Sequence, residues 1–269
     1  EPLLISLIWL GFETSPLVKI QKKLKFVLIT IVNTFIIMTK SKHKTIIPKS
    51  SIDFLSLLKK HNNRDWFNAN KDQFLIEQHY IEVFADALLM ELNTHDVIET
   101  PSGKKSLHRI YRDTRFSKEK TPYKTNWSGS FRRATKYRRG GYYFHIEAGN
   151  SFIAGGFWSP NPEDLKRIRD DFDFDDANIR KILKSKNFIS TFGTLQGEQL
   201  KTTPKGFDAE SKAIDLLRYK QFLLIRKFTD NEVLSDDFLN EANKTFKHMR
   251  PFFDYMSDVL TTDLNGIEI

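Results

Sequence analysis

The sequence predicts an α+β fold: a mainly antiparallel sheet over about residues 106–158, packed by helices on its N- and C-terminal sides. Three observations carry this. Apolar residues recur at helical spacing before residue 93 and after residue 235. Between 106 and 158 they alternate with polar residues and are punctuated by glycine and proline. No repeat or low-complexity linker divides residues 50–262, so a single α+β domain accounts for the whole segment.

Composition narrows the chemistry. The 269 residues include 23 phenylalanines, enough for a substantial core, and no cysteine. A disulfide framework, a thiol nucleophile and a cysteine zinc site are therefore excluded. The net charge of +8 is uneven: residues 101–145 carry 13 Lys or Arg against two acids, Asp113 and Glu119. The rest of the chain is mildly acidic. A basic patch on such a body points to an acidic partner met at one place.

The first 38 residues differ from the rest. The apolar run Phe26 to Met38 is 13 residues long, against about 20 for a membrane span. Lys19, Lys22, Lys23 and Lys25 precede it as in a signal-peptide n-region, yet no small-residue cleavage site follows. Three readings stay open: an upstream translated region with the start at Met38, a signal peptide or amphiphilic anchor, or part of the domain. Residues 1–37 are set apart as a non-domain leader. With a start at Met38 the domain is expected in the cytoplasm, with no membrane partner.

The elements follow in order. Ser51 to Lys60 reads as a short helix capped by Ser50 or Ser51. Asn63 caps a longer helix, Arg64 to about residue 93, with Phe67, Phe74, Ile81, Phe84, Leu88 and Leu92 on one face. From Ser106 to Phe116 side chains alternate as in a strand, and Pro122 in the next loop forbids regular continuation. Trp127 to Ala134, Tyr142 to Glu147 and Ser151 to Trp158 are further strands, the last two joined by a hairpin at Ala148-Gly149-Asn150. Gly155-Gly156 suggests a bulge or a close backbone approach.

Pro162, Glu163 and Asp164 open a helix. Residues 170–176, DDFDFDD, read as an acidic connector, and helices follow at Ala177–Lys184 and Asn187–Phe192. Ala209–Leu217 reads as helical and Phe222–Phe228 as a strand. Ser235-Asp236-Asp237 caps a last helix that Pro251 should kink or interrupt.

Candidate binding residues fall in RIYRDTRFSKEKTPYK, a basic strand–loop–strand over 109–124. Strand alternation sets Arg109, Asp113 and Arg115 on one face and Arg112 on the other. Arginines so placed clamp a phosphate or carboxylate. Lys120 and Lys124 close over it, while Tyr111 and Tyr123 add hydroxyl donors and stacking surfaces. The alternative is a surface ion-pair network. Arg132-Arg133 and Lys136 to Arg139, beside a double glycine, read as a solvated turn. His108 and His145 lie on separate strands from which they could meet across the sheet, but a satisfied or exposed histidine is the better reading of each; Glu147 beside His145 is a candidate general base. The chain has no HExxH pair, P-loop, GxGxxG or GxSxG pattern, so neither a metal nor a cofactor is expected.

The runs FLSLLKKHNNRDWFNANKDQF (54–74), RIYRDTRFSKEKTPYKTNW (109–127), GYYFHIEAGNSFIAGGFWSP (141–160), KTTPKGFD (201–208) and LLRYKQF (216–222) occur in one order. Together they resemble the domain of unknown function 2461 family across residues 52 to about 262. The resemblance implies a single α+β domain and carries over no catalytic residues. Its matching Arg112, Asp113, Arg115, Phe116, Lys120, Pro122, Tyr123 and Lys124 coincide with the basic patch.

Three functions are compatible with these residues. The leading one binds a phosphate-bearing or other anionic ligand, a small molecule or nucleic-acid phosphate, through residues 109–124. The second is an enzyme acting on a phosphorylated or nucleic-acid substrate, with Asp113, His145 or Glu147 as acid or base converging in one cleft. The third is a module docking an acidic protein on a flat surface.

Overall fold

The computed structural model describes residues 46–262, 267 and 268, which fall in one compact unit, Thr45–Ile269. The expectations for residues 1–37 lie outside the described residues. Helix α1 (Lys49–Lys60) buries Ile52, Phe54, Leu55 and Leu58. Its N-cap is Pro48, not a serine. The Ser50 and Ser51 hydroxyls donate instead to Glu77 Oε2, at 3.0 and 2.8 Å.

Asn63 caps α2 (Arg64–Ala69) by accepting from the Trp66 N–H at 2.9 Å. The single long helix expected from Arg64 is broken at Asn70. Its amide donates to the Trp66 carbonyl at 2.8 Å, a local bond that competes with helix continuation. Helix α3 (Lys71–Leu92) then buries Phe74, Ile81, Phe84, Leu88 and Leu92.

The expected strand at 106–116 is absent. A one-turn helix, α4 (Gly103–Ser106), is followed by isolated bridges, Leu107 to Gly129 and Tyr111 to Tyr123. Alternating charged residues offer no apolar face for a sheet to bury. Between 107 and 126 only Ile110 and Tyr123 are buried. The stretch is thus an arm folded back on itself. Arg112 N–H bonds the Pro122 carbonyl at 2.9 Å, and Lys124 N–H bonds the Ile110 carbonyl at 2.7 Å.

The sheet begins at Trp127. Strands β1 (Trp127–Arg132), β2 (Gly141–Ile146), β3 (Ser151–Phe157) and β4 (Phe222–Phe228) lie side by side in chain order, all antiparallel. The register runs through Gly155 and Gly156 without a bulge. These glycines serve close approach instead. A Cβ on Gly155 would lie 2.6 Å from Met249 Sδ, and Gly156, at φ +135°, would set one 2.1 Å from the Phe222 carbonyl oxygen.

Helices α5 (Pro162–Phe174), α6 (Ala177–Leu183), α7 (Lys186–Phe192) and α8 (Ile214–Leu217) lie between β3 and β4. The acidic run is no connector up to Phe174: Ile168 and Phe172 continue the buried stripe of α5, with Asp170 and Asp173 exposed. Residues 209–213 are not helical, because Asp208 and Ser211 side chains accept the Glu210 and Ala213 N–H groups at 2.9 and 3.2 Å.

After the short α9 (Asp230–Val233), α10 (Phe238–Thr261) runs unbroken through Pro251. The proline is exposed, while Met249, Phe252, Phe253 and Met256 bury themselves on both sides of it. Packing of this kind outweighs one lost backbone bond. Asp237 is the N-cap of α10 but gives the helix no side-chain bond; its carboxylate accepts from the Asn240 amide at 2.8 Å.

Helices α3 and α10 cover one face of the sheet. Phe84 meets Phe144 edge-on at 5.8 Å, and Tyr142 packs on Phe246 and Phe253 at 4.8 and 5.1 Å. Each fully buried ring of this kind contributes about 1.5–3 kcal/mol.

Arg133 corrects the expectation of a solvated turn. Its side chain is 1% exposed and its Nε lies 2.7 Å from Asp96 Oδ2, which is wholly buried. Arg133 also bonds Asp254, the Ser257 hydroxyl and the Arg139 carbonyl. Asp96 accepts from Tyr142 OH at 2.7 Å and from the Val97 N–H at 2.8 Å. No local pattern marks this pairing, since the partners lie 37 and 121 residues away. Burial alone would raise the Asp96 pKa. The bonds from Tyr142 and Val97 and the Arg133 charge outweigh it and hold the carboxyl below its ordinary 3.8.

Removing one partner of a buried pair leaves an uncompensated charge. Arg133→Met is therefore expected to cost about 3–5 kcal/mol in denaturant unfolding; a loss below about 1 kcal/mol would contradict this role. The carboxyl's folded pKa is depressed. Its stabilisation is present above the ordinary Asp value and lost as pH falls through the folded one.

Candidate anion-binding site

The arm is held down by Tyr123. Its ring stacks on Phe67 at 4.1 Å, and its backbone pairs both ways with the Asn62 side chain, at 2.9 and 3.1 Å. This fixes a cleft of about 300 Å³ between the end of α1 and the arm, lined among others by Lys59, Arg112, Thr121, Lys124 and Thr125. Arg112 Nη1 bonds Thr121 Oγ1 at 2.6 Å and Glu119 at 2.8 Å. The bond from Arg112 and one from the Thr121 hydroxyl, at 2.7 Å, hold the Glu119 pKa down.

Lys124 is half-buried and has no ion pair among the described residues. Its pKa is lowered, first by burial and then by the Arg109 charge. Both causes disfavour the ammonium, and a bound anion would oppose both.

The other candidates are placed differently. Arg115 is bound bidentately by Asp113, at 3.0 and 2.7 Å, and both are exposed on the arm's tip. That pairing lowers the Asp113 pKa and raises that of Arg115. Lys120 Nζ bonds the Thr114 carbonyl at 2.8 Å, which closes the loop. Tyr111 is 53% exposed and packs against Tyr123 at 5.5 Å. Arg112, Tyr123 and Lys124 thus line one cleft, with Arg109 close enough to act on Lys124. Asp113, Arg115 and Lys120 serve the loop.

The sheet face turned away from α3 and α10 carries a second set of polar groups. Residues two apart share it: Ser128 and Ser130 on β1, and Tyr143, His145 and Glu147 along β2. His145 Nε2 lies 3.2 Å from Glu147 Oε2, and Nδ1 lies 3.0 Å from Tyr143 OH. A carboxylate only accepts, so Nε2 carries the proton, and in the neutral ring Nδ1 accepts from the Tyr143 hydroxyl.

Glu147 also accepts from Thr125 Oγ1 and Asn150 Nδ2, both at 3.0 Å. Burial raises its pKa, but these bonds and that from His145 outweigh it. Burial lowers the His145 pKa against the opposing effect of Glu147. His108 and His145 do not touch; Tyr143 lies between them, 5.7 and 6.2 Å from the two rings.

Beside this chain of bonds the open face forms a groove of about 700 Å³, lined by Tyr143, Phe152, Ala154, Trp158, Leu223 and Ile225, with Ser130, Lys105 and Arg132 also at its walls. Ser130, Phe152, Trp158 and Lys59 were missed from the sequence. The two-residue spacing of Phe152, Ala154, Gly156 and Trp158 is a signal that places them on one face. Lys59 gave none, because its cleft forms only when the arm folds onto α1.

Among the described residues there is no cluster of three or more His, Asp or Glu suited to a metal ion, and no helix long and apolar enough to cross a membrane. A protein-family model described as a conserved hypothetical protein (DUF2461) matches residues 50–255. No curated protein and no solved structure matches the chain significantly.

The His145 arrangement has a measurable consequence. In histidine NMR titrations its pKa should lie below the ordinary 6.5. The neutral ring's contribution to stability is present above that ordinary value and lost as pH falls through the folded one. A pKa above 6.5 would mean that the Glu147 charge prevails and that the ring is protonated near neutrality.

Proposed function

We propose, for a chain that belongs to the DUF2461 family of conserved hypothetical proteins, that it binds a phosphate-bearing ligand in the Arg112–Lys124 cleft. One observation carries this reading. Lys124 is partly withdrawn from water beside Arg109, and among the described residues no carboxylate pairs with it. Holding like charges together in this way raises the free energy of the empty site, and an anion would lower it. Arg112, fixed by Glu119 and Thr121, offers its remaining N–H donors.

A second reading, an acid–base step on the bound ligand, has a narrower base than the sequence suggested. Asp113 is held by Arg115 on the arm and takes no part. Glu147, His145 and Tyr143 do meet, and the chain of bonds runs from Thr125 in the cleft to Tyr143 at the groove. A docking module for an acidic protein is less well supported, because concave clefts suit small or flexible ligands better than a flat partner surface.

The test is equilibrium binding of inorganic tripolyphosphate to the full chain, followed by thermal shift and calorimetry. Lys124→Ala is expected to weaken binding roughly ten- to a hundredfold, the scale of one charge-assisted hydrogen bond. Arg115→Ala, at the arm's tip, should change it little. Equal losses from both variants, or none from Lys124→Ala, would overturn the assignment to this cleft.

A further inference from the structure

The sheet face turned away from α3 and α10 has the composition of a stacking platform. Tyr143 stands opposite Ala154, and His145 opposite Phe152. The His145 and Phe152 rings stack at 4.6 Å and 10°, and Phe152 lies 5.8 Å from Tyr143. At the far end of the same row Trp158 leaves 67% of its surface exposed. Between these ends the floor is made of small residues. Ala154 has one methyl, and Gly156 admits no side chain at all, since a Cβ would strike the Phe222 carbonyl. The result is a shallow slot with flat aromatic walls.

Charge completes the pattern. Lys105 and Arg132 stand at the groove, and Lys227 lies opposite Phe152 on β4. Of the acids nearby, Glu99 is paired with Arg132 and Glu147 with His145. The hydrogen-bond chain from Tyr143 through His145 and Glu147 to Thr125 joins this groove to the anion cleft.

We infer that the open sheet face binds single-stranded nucleic acid. Unpaired bases lie in the slot against Phe152, Tyr143 and Trp158, and backbone phosphates follow the cations from Lys105 towards Lys124. Bases stack on aromatic side chains irrespective of sequence, while a basic track holds the backbone. A four-stranded antiparallel sheet with surface aromatics suits this, because its flat face meets the faces of unstacked bases. A duplex hides those faces inside its stack. This inference rests on the proposed phosphate site and adds the chemical class of its ligand.

The experiment compares a ten-nucleotide oligothymidylate with tripolyphosphate on the full chain at fixed salt. Affinity is read by anisotropy for the labelled oligonucleotide and by calorimetry for tripolyphosphate, with tryptophan emission followed in both. The oligonucleotide is expected to quench the exposed Trp158, and Trp158→Ala to weaken its binding about tenfold or more without changing tripolyphosphate binding. Phe152→Leu should act in the same direction. Trp158→Ala carries the test if that second variant fails to fold.

Oligonucleotide binding that survives both substitutions, with tripolyphosphate still bound, would overturn the base-stacking inference and leave the phosphate site standing. Failure of both ligands to bind would remove the phosphate reading as well. Preference for a duplex of equal length would also overturn the inference.

Discussion

Asp96 and Arg133 form the constraint on which the rest of the structure depends. A carboxylate and a guanidinium with essentially no exposure sit where four parts of the chain meet. These are the loop after α3, the end of β1, the start of β2 through Tyr142, and α10 through Asp254 and Ser257. Desolvating two charges is expensive, and the site is favourable only because nearly every donor is satisfied. Its geometry therefore admits one arrangement of these elements. It fixes α10 against the same sheet face that α3 covers, and the aromatic core of Phe84, Tyr142, Phe144, Phe246 and Phe253 closes beneath it.

An asymmetric sheet follows. One face is filled with apolar rings from α3 and α10, and the other carries serine, tyrosine, histidine and glutamate. Gly155 and Gly156 belong to the same design. They bring β3 against Met249 on the packed side and against the β4 backbone at the other, at separations no side chain would allow. The arm at 107–126 adds the cations. Tyr123 and Asn62 anchor it, and its own acids are consumed in holding Arg112 and Arg115. Lys124 makes no ion pair among the described residues, and the Arg109 charge acts on both Lys124 and Asp113.

Much of this fold could be read from periodicity. The apolar stripes of α3 and α10, the hairpin around Gly149 and the four sheet segments beginning at Trp127 all follow from spacing and turn residues. The arm could not be read so directly. Alternating Arg and Asp residues imitate a strand, but alternation places a strand in a sheet only when one side is apolar. The buried ion cluster was also hidden, because an arginine next to a double glycine looks solvated unless its distant partners are known. For the candidate site, charge density located the segment, and chain folding then sorted its residues. Arg112, Tyr123 and Lys124 came to the cleft, while Asp113, Arg115 and Lys120 pair within the loop. Lys59 and Asn62 joined from a helix end about 60 residues earlier in the chain.

Lys124 offers the most direct measurement. Its ammonium can be titrated by side-chain NMR in the full chain, with and without tripolyphosphate. Half-buried and beside Arg109, it is expected to titrate below the ordinary lysine value of 10.5 in the free protein and to move upward when the anion binds, because the anion stabilises the charged form. A Lys124 pKa that is already ordinary, and that stays fixed as the anion saturates the protein, would contradict the claim that this cleft is built for a phosphate.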